Sequence, residues 1–225
     1  MSEPADQFLN RVRSALGRAG PWRAEVRPPR APEPLALPPG ELLARFRSEL
    51  EAIGGKVHCA AAADAPRLVA ELAAARSVET FARWRTPFLD GIALAPALAA
   101  RPPMRELTIT DAVHAREELR SLDLGISDAE LAIAETGSIL LAPGPGRARL
   151  ITCLPRMHIA LLSVDRLRAS LTEVPELLRE SRAADGRYRS NLVIVTGPSR
   201  TADIENVLVV GIHGPVELHV LFIES

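Results

Sequence analysis

Short apolar runs alternate with helix-period segments along most of this chain, and no other feature constrains the fold as much. "ELLARFRSELEAIGG" (41–55) places Leu42, Leu43, Phe46, Leu50 and Ile53 at helical spacing and stops at a glycine pair. "KVHCAA" then reads as a strand. The same logic predicts a helix over 64–75, strands over 77–81 and 104–110, and a helix over 112–122. It continues with strands at "GSILLAP" and "MHIALLSV", a helix at "VPELLRESRAA", and strands at "NLVIVT", "NVLVVGI" and "ELHVLFI". Strands alternating with helices predict an α/β fold with a largely parallel sheet flanked by helices. The close spacing of the last three strands predicts a local antiparallel or hairpin-like finish.

Two segments precede this pattern. "ADQFLNRVRSALGRA" carries Phe8, Leu9, Val12 and Leu16 on one helical face, so residues 1–19 are read as an N-terminal helix that packs on the main domain or on another subunit. Residues 20–39 hold seven of the nineteen prolines and are read as an extended linker. Residues 40–225 are left as the main domain, and 47% hydrophobic residues are enough to give it a sizeable core. With 27 basic and 28 acidic residues, the chain has no strong field for nucleic acid or an anionic membrane. No apolar run approaches the ~20 residues of a membrane helix, so a cytoplasmic protein is expected. Cys59 and Cys153 stand far apart and outside any CxxC spacing, which argues against a disulfide framework, a zinc site or a cluster on this chain. No cofactor is expected to be bound by it.

Candidate chemistry concentrates in three stretches. In "SDAELAIAETGSILL" the Ser127 and Glu130 pair reads as a capping box, opening a short helix that runs into "ETGS". That tetrad is either a helix–strand turn, or a site in which Glu135 is an acid or base, Thr136 and Ser138 donate hydrogen bonds and Gly137 lets backbone approach closely. "GPGR" (144–147) reads as a turn, since it lacks the helix and lysine of a phosphate loop, and Arg147 and Arg149 beside it are candidates for an anion.

The third stretch, "TGPSRTADIE" followed by "GIHGP", is a compact loop between apolar runs. Either Ser199 or Thr201 caps a short turn with Asp203 and Glu205 near its start and Arg200 as their partner, or the loop cradles a carboxylate or phosphate. In the second reading Thr196, Gly197, Pro198, Ser199, Arg200, Thr201, Asp203, Glu205 and Gly214 line the ligand. His213 is then either held in a tight turn or poised for proton transfer. Asp203, Glu205 and His213 lack recognised metal-ligand spacing, as do His58 and Cys59.

In order along the chain, "GISDAELAIAETGSILL", "LPRMHIALL", "TGPSRTADIENVLVVGIHGP" and "LHVLFIE" resemble the LUD (lactate utilization) domain, and within it the small LutC/YkgG-type proteins, over roughly residues 41–225. The resemblance implies a NagB/RpiA/CoA-transferase-like fold. It also implies a place in a three-protein system oxidising L-lactate to pyruvate, whose other members carry iron-sulfur clusters. Ser138 stands where threonine is commoner in the family, which preserves the hydroxyl. The expectation is a non-redox component that binds a small anionic ligand, docks on the iron-sulfur partners, or both, with self-association open. The alternative is a CoA-transferase-like or sugar-phosphate isomerase-like enzyme with Glu135 as nucleophile or base. A purely assembling protein is a third reading.

Overall fold

The structure, a computed structural model, describes residues 5–18, 37–100, 103–108, 119, 121–175, 191–202 and 208–224. The chain divides into two units, residues 1–33 and 34–225. In the first, α1 (Ala5–Arg18) carries the apolar stripe read from the sequence.

The second unit is built on six parallel strands in the order β1-β12-β7-β4-β2-β3. These are β1 (Lys56–Ala61), β2 (Thr80–Arg83), β3 (Arg105–Glu106), β4 (Leu124–Asp128), β7 (Met157–Ser163) and β12 (Glu217–Glu224). β4 is buried throughout, and β7 and β12 are buried at six consecutive positions each, as near-continuous apolar runs covered on both faces require. The covering helices are α2 (Pro39–Ala52), α3 (Ala65–Ala74), α4 (Pro87–Gly91), α5 (Leu94–Leu98) and α6 (Leu150–Cys153). From α2, Phe46 and Leu50 are fully buried, and Phe46 meets Phe222 of β12 edge-on at 5.2 Å. α3 buries Ala65, Val69 and Ala73, an i, i+4, i+8 stripe. α6 passes directly over Gly125 of β4, where any Cβ would strike the carbonyl of Ile151. Among the described residues no helix is long and apolar enough to cross a membrane.

A second, four-stranded sheet runs β8-β5-β6-β9. It comprises β5 (Leu131–Ile133), β6 (Ser138–Leu141), β8 (Leu167–Arg168) and β9 (Val193–Val195), with only the β5–β8 pair parallel. A hairpin of β10 (Arg200–Ala202) and β11 (Leu208–Val210) completes the set.

The sheet topology corrects two sequence expectations. The capping-box helix from Ser127 does not form: that segment is the end of β4 and all of β5. Ser127 lies in the sheet, its Oγ 2.9 Å from His158 Nε2, and the amides of Ala129 and Glu130 donate to Leu161 and Leu140. Strand pairing on both sides outweighs a local cap worth about 1 kcal/mol. The last three strands are not one antiparallel finish either. β9 pairs with β6, β11 with β10, and β12 enters the centre of the parallel sheet. β2 starts at Thr80 rather than residue 77, and β3 is two residues long. Most of the helices expected over 112–122 and 174–184 lie outside the described residues.

Three of the described histidines sit within the sheet. His158 is fully buried, and burial lowers its pKa to about 4. His219 lies between His58 Nε2, 3.0 Å from its Nδ1, and Glu217 Oε2, 3.3 Å from its Nε2, and the two rings stack at 5.2 Å. Burial is also the main cause holding His219 at about 4 and lowering His58. Glu217 is drawn down to about 2, first by Arg76 at 2.5 Å and also by Lys56 at 2.6 Å. Since His158 and His219 fold neutral, with pKa values below the unfolded 6.5, their contribution is complete above that pH and is lost as pH falls from 6.5 toward 4. Each should cost about 2 kcal/mol at pH 5. Urea midpoints at pH 7.5 and pH 5 should show this loss before most carboxylates titrate, and equal midpoints would contradict it.

Candidate functional site at the carboxyl edge of the sheet

"ETGS", "TGPSR" and "GIHGP" meet, but around the end of α2, while "GPGR" lies against the end of β2. Glu135 lies in the β5–β6 turn, and its Oε2 accepts hydrogen bonds from Ser170 Oγ (2.8 Å) and the amide of Leu171 (3.0 Å). It thereby ties down the 3-10 turn Leu171–Glu173, which Ser170 and Glu173 close with a capping box of their own. Thr136 Oγ1, Ser138 Oγ and Thr196 Oγ1 form a hydroxyl chain with 2.7 Å links, joining "ETGS" to "TGPS". Gly137 does make a close approach: at φ +62° its Cβ would lie 2.5 Å from the amide nitrogen of Leu50 in α2. The neighbour is helix backbone.

Gly197 and Pro198 are buried, with Gly197 against Ile53. The Ser199 amide donates to Pro215 O and its carbonyl accepts from Gly211, each at 2.9 Å, so "GPSR" and "GIHGP" lock together, with Gly214 against the Ser199 side chain. Arg200 donates from its guanidinium to the carbonyl of Ile53, just past the last turn of α2, where a cation complements the helix dipole. Thr201 pairs with Val209 across the hairpin. His213 is exposed, and Asp203 and Glu205 lie outside the described residues. Most described motif residues in this assembly bond or pack against one another or against α2, while Glu135 holds Ser170 and Leu171, Thr201 pairs with Val209 and His213 is exposed.

A different arrangement forms at the carboxyl edge of the parallel sheet. From β2 the chain runs outward to β3, while from β4 it turns toward β7, so the crevice between the ends of β2 and β4 is a topological switch point. Ligands in open α/β sheets bind at such crevices. Beside this crevice, at the ends of β2 and β3, a cavity of about 280 Å³ is lined by Arg83 at the end of β2, Arg85 just past it, Leu107 and Thr108 after β3, residues 144–146, and Ala148 and Ile151.

Local chemistry builds this edge. The Arg85 amide donates to Gly146 O (2.7 Å), pinning the "GPGR" turn to the end of β2, and the turn closes on itself between Gly144 and Arg147. Trp84, fully buried, donates its indole N–H to Ala148 O at 2.9 Å. Arg83 is held between Asp90 (2.6 Å) and Glu106 (3.2 Å), and Arg85 reaches the same Glu106 at 2.8 Å. Two guanidiniums therefore share one half-buried carboxylate, and Arg85, 45% exposed, lines the cavity.

Arg147 lies over the Trp84 ring at 5.8 Å and bonds Glu130 (2.5 Å) and Asp128 (3.5 Å), so it holds internal acids. Asp128, buried at the end of β4, has an Oδ1 that accepts no hydrogen bond from a described residue. Burial raises its pKa despite the opposing pull of Arg147. Arg83, Arg85 and Asp128 are missing from the sequence-derived set. The signal available was "RWR" at the end of a strand, two arginines flanking a large aromatic.

Together these features define an open, parallel-sheet α/β protein with a polar cavity at the carboxyl edge and a small mixed sheet beside it. A family model described as "LUD domain" matches residues 43–223, and the chain belongs to that family. It is 32% identical over 157 residues to "Lactate utilization protein C" of Halalkalibacterium halodurans, which covers 70% of this chain and 66%, just under two thirds, of that protein. It is 26% identical over 222 residues to a protein of the same name from Geobacillus sp., covering 94% of this chain and 92% of that one. The crystal structure of a DUF162 family protein from Deinococcus radiodurans shares the fold, with a TM-score of 0.60 at 23% identity over 84% of this chain and 99% of that chain.

The packing makes Gly137 a structural requirement. Gly137→Ala combines a disfavoured positive φ with a backbone clash against α2 and should destabilise by about 2 to 4 kcal/mol. Chemical denaturation measures this, and a loss under 1 kcal/mol would show that α2 can yield.

Proposed function

We propose that this chain serves lactate utilization as a component that itself transfers no electrons and binds a small carboxylate at the carboxyl edge of its parallel sheet. The observation that carries the reading is the 280 Å³ cavity at the ends of β2 and β3, beside the β2–β4 switch point, with Arg83 and Arg85 on its wall. A forked guanidinium matches a carboxylate bidentately, and a cavity of this size suits a molecule of a few heavy atoms such as lactate or pyruvate. The names of the relatives supply the metabolic setting. Electron removal falls to iron-sulfur partner proteins, in keeping with a sequence whose two cysteines are isolated.

The transferase or isomerase alternative needs a free Glu135 carboxylate. Ser170 and the Leu171 amide occupy one of its oxygens, which favours the binding role over the nucleophilic one.

Calorimetric titration of L-lactate and of pyruvate into the pure chain should give saturable binding. Arg85→Ala should weaken it ten- to a hundredfold, the worth of a charge-assisted contact of roughly 1.5 to 3 kcal/mol, with little change in melting temperature. Arg200→Ala should leave affinity intact and cost about 0.5 to 1 kcal/mol of stability, because its contact is with the end of α2. Failure of both acids to bind, or Arg200→Ala as the variant that abolishes binding, would overturn the assignment.

A further inference from the structure

At the opposite edge of the sheet the amino ends of β4, β7 and β12, and the turn leading from α3 toward β2, surround a second cavity of about 260 Å³. Its polar wall is Arg76, Ser77, Asp123, Arg156 and Glu217. The two acids are already engaged. Asp123 Oδ2 accepts from the amides of Glu79 and Thr80 (3.0 Å each) and from Thr80 Oγ1 (3.1 Å), which fixes the entry to β2. Glu217 is held by Lys56, Arg76 and His219.

The cations are less fully committed. Arg76 uses Nε on Glu217 and reaches the Ala75 carbonyl with Nη1 at 3.4 Å, leaving Nη2. Arg156 is exposed, and its side chain makes no ion pair among the described residues. In the lining Arg76 and Arg156 balance Asp123 and Glu217, and Lys56, which bonds Glu217 from outside the cavity, adds one positive charge.

Ser77 adds a hydroxyl at an unusual place. The amides of Ser77 and Val78 close α3 onto the carbonyls of Ala74 (3.0 Å) and Ala73 (3.2 Å), a Schellman motif whose left-handed position commonly holds glycine. Here a serine sits at φ +53°, the one non-glycine with positive φ among the described residues, and it faces the cavity.

We propose that this amino-edge cavity is a second ligand site, taking a small monoanionic carboxylate between Arg156 and the free end of Arg76, with the Ser77 hydroxyl as a further donor. One added cation matches one negative charge, and the Arg156 fork together with Arg76 Nη2 supplies donors for two carboxylate oxygens. The site shares no lining residue with the carboxyl-edge cavity and stands independently of it. It also has a built-in reporter. An anion that draws on Arg76 changes what Glu217 offers His219, and through Nδ1 what His219 offers His58.

The test titrates acetate, and separately inorganic phosphate, into the full chain labelled with nitrogen-15 in histidine. Acetate should shift the ring nitrogens of His219 and His58 saturably. Arg156→Gln should weaken that binding at least tenfold at an unchanged melting temperature, and Arg156→Lys, which keeps the charge and loses the fork, should fall between. Arg85→Ala should leave it intact. The proposal is overturned by non-saturable shifts, by equal affinity in Arg156→Gln, by loss in Arg85→Ala instead, or by phosphate binding more tightly than acetate.

Discussion

Strands β12, β7 and β4 are buried along nearly their whole length, so their amides and carbonyls can be satisfied only by one another and by the strands beside them. That parallel ladder fixes where the segments connecting its own strands begin and end. All the strand starts fall on one edge and all the strand ends on the other, and polar side chains at those ends have nowhere to go but the two rims. Lys56, Arg76 and Glu217 gather on the amino rim, and Arg83, Glu106 and Asp128 on the carboxyl rim. Even the buried histidines follow from it, as positions where a polar ring fits the sheet once a neighbour such as Ser127 or Glu217 supplies a hydrogen bond.

The small mixed sheet depends on a different device. Its strands are three or four residues long or shorter, too short to hold by pairing alone, and its turns are clamped to α2. Gly137 presses against the helix backbone, Gly197 against Ile53, and Arg200 caps the same end. The hydroxyl chain Thr136, Ser138 and Thr196 then ties β6 to the segment after β9. Turn residues so densely committed to one another read in the sequence as a binding loop, because the same glycines, hydroxyls and arginine serve either purpose.

The long strands were legible because near-continuous apolar runs between turn residues admit few other readings. "KVHCAA" is β1 residue for residue, and β7 and β12 match their runs to within a residue or so. The β4–β5 segment was not, since a local capping signal at Ser127 conflicts with the pairing of β4 to β2 and β7 and of β5 to β6 and β8. The meeting of "ETGS", "TGPSR" and "GIHGP" was legible as a juxtaposition, though α2 as their common neighbour was not. The carboxyl-edge cavity joins residues 83–85, 107–108 and 144–151, which become adjacent only once β2 is known to lie between β3 and β4. No spacing along the chain encodes that order.

In our proposal ligand recognition lies at the strand ends and the motif-rich turns are architectural. Mapping backbone amide shifts of the nitrogen-15-labelled chain during a pyruvate titration separates the two directly. Saturable shifts centred on Arg85, Thr108 and Gly146 are the expected result, and shifts centred on Thr136, Ser138 and Thr196 would contradict it.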